Sequence, residues 1–286
     1  MCRFVAYKGH PMSLADLLLK PKHSLINQSY HALEREEPLN GDGFGVGWYT
    51  PEIDPIPVVF TSITPAWNNM NLFHLSQKTI SSCIFAHVRA ASVGMHVSEI
   101  NCHPFQFDKY LWMHNGVIGG FRAIRRRLRE SLDDRFYDTI QGTSDSEHAF
   151  ALFLQFLARE EETGSPAAMS TALEKSIRQI NAWTREAHVD EVSRLNIAVT
   201  DGETMIATRY VSNPAARANT LYIGKGTDFR VDNDVYHFTA SEKTPKVVLV
   251  ASEPLTVDHH DWHAVPINHM LTITPDMDIR IVPINA

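Results

Sequence analysis

The chain has 286 residues, 44% of them hydrophobic and 21% charged, which is enough to bury a substantial core in one large domain. Lys plus Arg number 26 against 33 Asp plus Glu; the net charge of -7 excludes any general attraction to nucleic acid. No apolar run is long enough to span a bilayer, and no basic-then-apolar leader precedes Cys2, so the expectation is a cytoplasmic protein with no membrane partner.

In chain order, alternation predicts a first strand over residues 3–8. A short helix follows in "SLADLLLK", with Ser13 as its N-cap. Residues 21–40 read as irregular. "GDGFGVGWYT" and "PIPVVFTS" read as paired strands across a proline-containing turn, and "AWNNMNLFHLSQ" as a helix. "SCIFAHVRAAS" and "YLWMHNGV" read as strands and "GFRAIRRRLRESL" as an arginine-rich helix. "SDSEHAFALFLQFLAREEE" carries the Ser144 and Glu147 spacing of a helix start, and "MSTALEKSIRQINAWTREA" is a further helix. The last third holds a hairpin signal at Asp201-Gly202, then the strands "TLYIGK", "VYHFTA" and "KVVLVAS", then a second hairpin around Asp276. Strands in hairpins around a block of helices predict an α+β fold with antiparallel sheets. With no repeat or linker, residues 1–286 are expected to form a single domain.

The three cysteines, Cys2, Cys83 and Cys102, are odd in number and share no metal-ligand spacing, which fits free thiols in a reducing compartment. Cys83 lies in an apolar run and reads as a core residue. Cys2 is different. Once Met1 is removed, it carries a thiol and a free α-amine, and the amine can act as the thiol's base. An amidase of this kind also needs an oxyanion hole and a substrate clamp. Arg89, at the end of the strand in "AHVRAAS", can hold a carboxylate bidentately or make a surface ion pair. Asn115-Gly116 in "MHNGV" can supply a side-chain amide and a backbone N–H, or simply a turn. Asp145 in "TSDSEH" can favour a helix N-terminus or bind an ammonium group.

Cys2, "HVRAAS", "CHPF", "HNG" and "SDSE", in this order, resemble the class II glutamine amidotransferases, which are N-terminal nucleophile hydrolases. "MCRF", "DGFGVGWY", "TDGETMIATRY" and "ASEPLT" bring the chain closest to their stand-alone YafJ-like branch, and these marks span nearly its whole length. The resemblance implies a four-layer αββα sandwich of two antiparallel sheets. It implies Cys2 as nucleophile on the glutamine side-chain amide, through a γ-glutamyl thioester that releases ammonia and then glutamate. Arg89 would take the substrate α-carboxylate and Asp145 the α-ammonium. Asn115 and Gly116 would form the oxyanion hole. Ser92 falls where the family often has a threonine near the substrate. Val93 replaces a histidine of the synthase-type members.

Three features point elsewhere only weakly. His259, His260, Asp261 and His263 are close in sequence, but adjacent histidines point differently and a polar loop is the expectation; no metal or cofactor is predicted. "RAIRRRLRE" reads as a solvated basic face, and "GDGFGVGW" matches no nucleotide-binding loop. The functional expectation is a glutaminase-type amidohydrolase. A hydrolase of another γ-glutamyl compound or peptide and a non-catalytic binding or regulatory relative stay open as alternatives. So do a separate synthase subunit as ammonia acceptor and a homodimer.

Overall fold

The computed structural model describes residues 2–34, 39–90, 97–232, 235–239, 244–256 and 259–286. Met1, Ser92 and Val93, each named above, lie outside the described residues.

The chain start forms the middle of a seven-stranded antiparallel sheet. That sheet contains β1 (Arg3–Ser13), β2 (Phe44–Thr50), β3 (Asp54–Ser62) and β4 (Ile80–Val88). It also contains β9 (Tyr222–Gly226), β12 (Val247–Ala251) and β13 (Trp262–Ala264), in the order β13-β9-β12-β1-β4-β2-β3. Between these come β5 (Phe105–Phe107), β6 (Tyr110–Val117), β7 (Arg194–Thr200) and β8 (Met205–Arg209). With β14 (His269–Ile273) and β15 (Ile279–Pro283) they make a second antiparallel sheet, ordered β15-β14-β8-β7-β6-β5. A separate hairpin pairs β10 (Asp228–Asp232) with β11 (Val235–Thr239).

Three apolar layers define four layers of backbone. Phe4, Ala6, Phe85, Leu111, Met113 and Ala198 pack between the two sheets. Val5, Tyr7, Ile84 and Ala86 face the opposite way, with α1 (Leu14–Leu18), α2 (Leu25–Tyr30) and α3 (Met70–Ser76) supplying Leu14, Leu25 and Leu72. The outer face of the second sheet packs Trp112, Ile197 and Val199 against α4 (Phe121–Glu130), α5 (Asp134–Tyr137), α6 (Asp145–Leu157) and α7 (Pro166–Glu186). The fold is the αββα sandwich expected from the sequence. The period-2 alternation of β1, β4 and β6 decides which residues meet in the middle.

Three local expectations change. Residues 25–30 are helical rather than irregular; Ser24 caps them through Asn27 N–H, but six residues are too few to show a 3.6-residue period. The helix expected over "AWNNMNLFHLSQ" divides at Asn69, whose side chain accepts from Leu72 N–H and starts α3 afresh after a 3-10 turn. His259–Asp261 form a 3-10 turn where a loop was expected, and the edge strand expected at Ala264 begins two residues earlier, at Trp262. There the Asp261 carboxylate accepts the Phe238 N–H at 3.0 Å, and no cluster of three His, Cys, Asp or Glu side chains able to hold a metal forms among the described residues.

Candidate active site

Cys2 immediately precedes β1, two residues before Phe4, whose side chain packs between the two sheets. Its Sγ is 3.6 Å from the carbonyl oxygen of Ala90. Arg89 extends β4 by one residue. Its N–H donates to Gly43 and its carbonyl accepts from Asp42 N–H, so it keeps strand geometry beside β2. Arg89 follows His87 by two residues and shares its inward face; it is 4% exposed and Nη1 donates to the Asp42 carbonyl at 3.4 Å. Cys2 and Arg89 thus flank one corner of the space between the sheets.

Asn115 closes that corner from the other sheet. It follows Leu111 and Met113 at even spacing, so its fully buried side chain points inward. Asn115 Nδ2 donates to Ser252 Oγ at 3.2 Å, and Ser252 Oγ accepts Phe4 N–H at 3.1 Å. The Asn115 carbonyl is held by Asn219 Nδ2 at 3.1 Å. Gly116 has no room for a side chain, since an added Cβ would overlap the Arg194 carbonyl oxygen on β7. Gly116→Ala is expected to force β6 and β7 apart and to cost about 1–3 kcal/mol, read as a lower urea midpoint; an unchanged midpoint would contradict the close approach.

Asp145 opens α6, where Ser144 Oγ caps Glu147 N–H at 3.2 Å. Its Oδ2 accepts Ile118 N–H at 2.7 Å and its Oδ1 accepts Ser146 N–H at 2.9 Å. A carboxylate has about four acceptor positions, so capacity remains for a further donor. His114 ties the same two segments together: Nδ1 meets Ser146 Oγ at 2.8 Å and Nε2 meets the Arg194 carbonyl at 3.1 Å. A carbonyl only accepts, so Nε2 carries the proton and the Ser146 hydroxyl donates to Nδ1. The structure thereby connects the "HNG" and "SDSE" segments directly, and connects "HNG" to the chain start through Ser252. No hydrogen bond joins Asp145 to Arg89.

Several participants were not singled out in the sequence. Ser252 and Glu253 lie within "ASEPLT", but nothing in that string says which groups they meet. The Glu253 carboxylate takes Arg3 Nε at 2.6 Å, Leu33 N–H at 2.9 Å and Glu34 N–H at 3.2 Å, with both ion-pair side chains 3% exposed. Arg3 Nη1 in turn donates to the Cys2 carbonyl at 3.0 Å. Glu253→Ala would leave the Arg3 guanidinium buried without its carboxylate. The expected cost is about 3–5 kcal/mol, measured by equilibrium unfolding, and a loss under about 1 kcal/mol would show the pair to be dispensable.

His87 and His103 pack with ring centroids 4.2 Å apart and their planes tilted by 35°, and His87 Nε2 lies 3.3 Å from the His114 carbonyl. Burial lowers all three imidazoles, His87 to about 3, so the layer behind Arg89 is neutral. Burial pushes the Cys102 thiol up to about 11, with Arg89 opposing and Glu99 and Cys2 adding to the rise. The Cys83 thiol is likewise raised to about 11 by burial. Both stay protonated at neutral pH, so neither is a competing thiolate.

The family model of the class-II glutamine amidotransferases matches residues 23–278. The chain belongs to that family, whose enzymes act on C–N bonds. It is 42% identical over 292 residues to the probable glutamine amidotransferase DUG3 of Saccharomyces cerevisiae, across 96% of this chain and 82% of that protein. It is 26% identical over 286 residues to the gamma-glutamyl-hercynylcysteine sulfoxide hydrolase of Mycolicibacterium smegmatis, across 99% of this chain and 100% of that protein. The glutamine aminotransferase class-II domain protein of Silicibacter pomeroyi superposes with a TM-score of 0.68 at 27% identity, each chain covered in full. The glutamine phosphoribosylpyrophosphate amidotransferase of B. subtilis shares the fold with a TM-score of 0.62 at 15% identity, over 99% of this chain and 49% of its own.

Proposed function

We propose that the protein hydrolyses a γ-glutamyl amide, with Cys2 as nucleophile once Met1 has been removed, and that residues 1–286 act as one catalytic domain. The observation that carries the reading is the shared Ser252 hydroxyl, which ties the first strand to Asn115 at the corner that Arg89 flanks. The α-amine of processed Cys2 has an ordinary pKa of about 7.7–8.0, so roughly a tenth to a fifth is neutral at pH 7 and can take the thiol proton. The thiolate sulfur bonds to the γ-carbonyl carbon. The resulting oxyanion is met by Asn115 Nδ2 and Gly116 N–H, and the C–N bond then breaks as the leaving amine takes the proton. Water cleaves the thioester, returning the thiol and releasing glutamate. Arg89 pairs with the substrate α-carboxylate and Asp145 with its α-ammonium, the two charges that mark a γ-glutamyl group.

Glutamine is the simplest substrate, and ammonia is then the leaving group. The name of the Mycolicibacterium relative favours a second reading, in which a larger γ-glutamyl compound is cleaved and the leaving amine belongs to a cysteine-derived sulfoxide. Water is the acceptor in either case, so hydrolysis itself requires no synthase subunit.

Intact mass measured before and after 6-diazo-5-oxo-L-norleucine, a glutamine-like alkylator, tests the reading. The expected species lacks Met1 and gains one adduct, which Cys2→Ala abolishes. A species that keeps Met1 and gains none would overturn the reading and favour a binding or regulatory role.

A further inference from the structure

We propose that Ser252 is a positioning residue for the oxyanion donor: its hydroxyl sets the Asn115 side-chain amide against the nucleophile strand. This inference rests on the function proposed above. Ser252 directly follows β12 and is fully buried. Its backbone N–H donates to the Phe4 carbonyl at 3.0 Å. The return bond of that strand pair is unusual. Phe4 N–H goes to the Ser252 hydroxyl oxygen, and the Ser252 carbonyl is taken by Thr220 Oγ1 at 2.8 Å instead. A side chain therefore stands in the backbone ladder two residues after Cys2.

The same oxygen accepts Asn115 Nδ2 from across the gap between the sheets. A hydroxyl oxygen has two acceptor positions, and Phe4 N–H and Asn115 Nδ2 fill both. A primary amide carries two N–H bonds. One is spent on Ser252, which leaves the other for a developing oxyanion and fixes its direction. Without Ser252, no other hydrogen bond among the described residues fixes the Asn115 side-chain amide, because Asn115 Oδ1 has no hydrogen-bond partner. The Asn115 backbone is anchored separately by Asn219. Ser252 therefore governs the aim of the amide rather than the path of β6.

The test compares Ser252→Ala and Ser252→Thr with the parent protein, using a γ-glutamyl amide that the parent hydrolyses. Ser252→Ala is expected to lower kcat about 10–100-fold with KM within about twofold, since an oxyanion donor acts on the transition state. Iodoacetamide alkylation of Cys2 should keep its parent rate, because the thiol and its amine are untouched. Ser252→Thr, which retains the hydroxyl, should restore most of kcat. Ser252→Ala with parent kcat would overturn the proposal. So would a fall in kcat matched by an equal fall in Cys2 alkylation, which would mark a merely structural role in seating β1. Failure of Ser252→Thr to recover kcat, when its thermal midpoint matches the parent, would also count against the hydroxyl. Cys2→Ala separates this inference from the reading beneath it. If Cys2→Ala stays active, the proposed function fails; if Cys2→Ala is inactive and Ser252→Ala is not impaired, only the role of Ser252 fails.

Discussion

Cys2→Ala should reduce kcat for γ-glutamyl hydrolysis by at least about 10⁴-fold and leave the fold intact. The magnitude follows from removing a covalent nucleophile, whose work the oxyanion hole and substrate clamp replace only in small part. The second half of the expectation follows from the surroundings of Cys2. It is partly exposed and stands before the first ladder pair of β1, and its thiol makes one long contact, to the Ala90 carbonyl. Its removal takes little from the core, so the unfolding midpoint should move by less than the equivalent of about 1 kcal/mol. Substrate binding should persist, because Arg89 and Asp145 remain. Single-turnover assays with calorimetric titration of glutamine read both halves. Residual activity above about one part in a hundred would remove Cys2 from the chemistry.

Acid should unfold this protein well before its carboxylates protonate. Burial holds His87 at about 3 and His148 at about 4, and it lowers His103 and His114 as well. For His148 the neighbouring Arg129, whose Nε donates to His148 Nε2 at 2.9 Å, adds to the effect, because a protonated ring would face that cation. An unfolded histidine titrates near 6.5. Above that pH neither state binds a proton and the contribution is fully present. Below it only the unfolded state binds protons, so stability falls as pH drops from about 6.5 toward 4. At pH 5, His87 and His148 each withdraw about 2 kcal/mol, and His103 and His114 act in the same direction. Against a typical total of about 5–15 kcal/mol this is a large share. Urea midpoints should therefore fall steeply between pH 7 and pH 5. A flat profile across that interval would show that the buried imidazoles take up protons in the folded state as readily as in the unfolded one.

The alternation of apolar residues made the middle of this fold legible. In β1, β4 and β6 the inward positions follow from period 2, and the same count carries Arg89 and Asn115 to the inner face. The helix start at Ser144 was legible because capping is local chemistry, and the Asp201-Gly202 turn because Gly202 adopts φ 94. The arrangement behind the site was not legible, because its bonds join distant segments. Ser252 and Glu253 belong to the mark "ASEPLT", but the string does not reveal their partners, Phe4 and Arg3, which the fold brings to them across 248 and 250 residues of sequence. The three neighbouring histidines, His87, His103 and His114, lie in separate strands and loops. Each alone resembles an ordinary strand residue, and only burial shows that they must stay uncharged. The short elements α2, β5 and β10 were invisible for a different reason, since three to six residues carry no readable period.

The first strand is the middle strand of its sheet, and one of its two neighbours is β12. During synthesis β1 emerges first and then waits for almost the whole chain before that neighbour exists. The thiol cannot meet Asn115 in its final setting until Ser252 has left the ribosome. On the function proposed above, a growing chain would hold Cys2 apart from Asn115 and could not yet turn over substrate. Pairing over such a separation also makes closure of the sheet slow relative to the local helices α6 and α7. A chain cut short before residue 247 lacks both the second neighbour of its central strand and the hydroxyl that joins that strand to the opposite sheet.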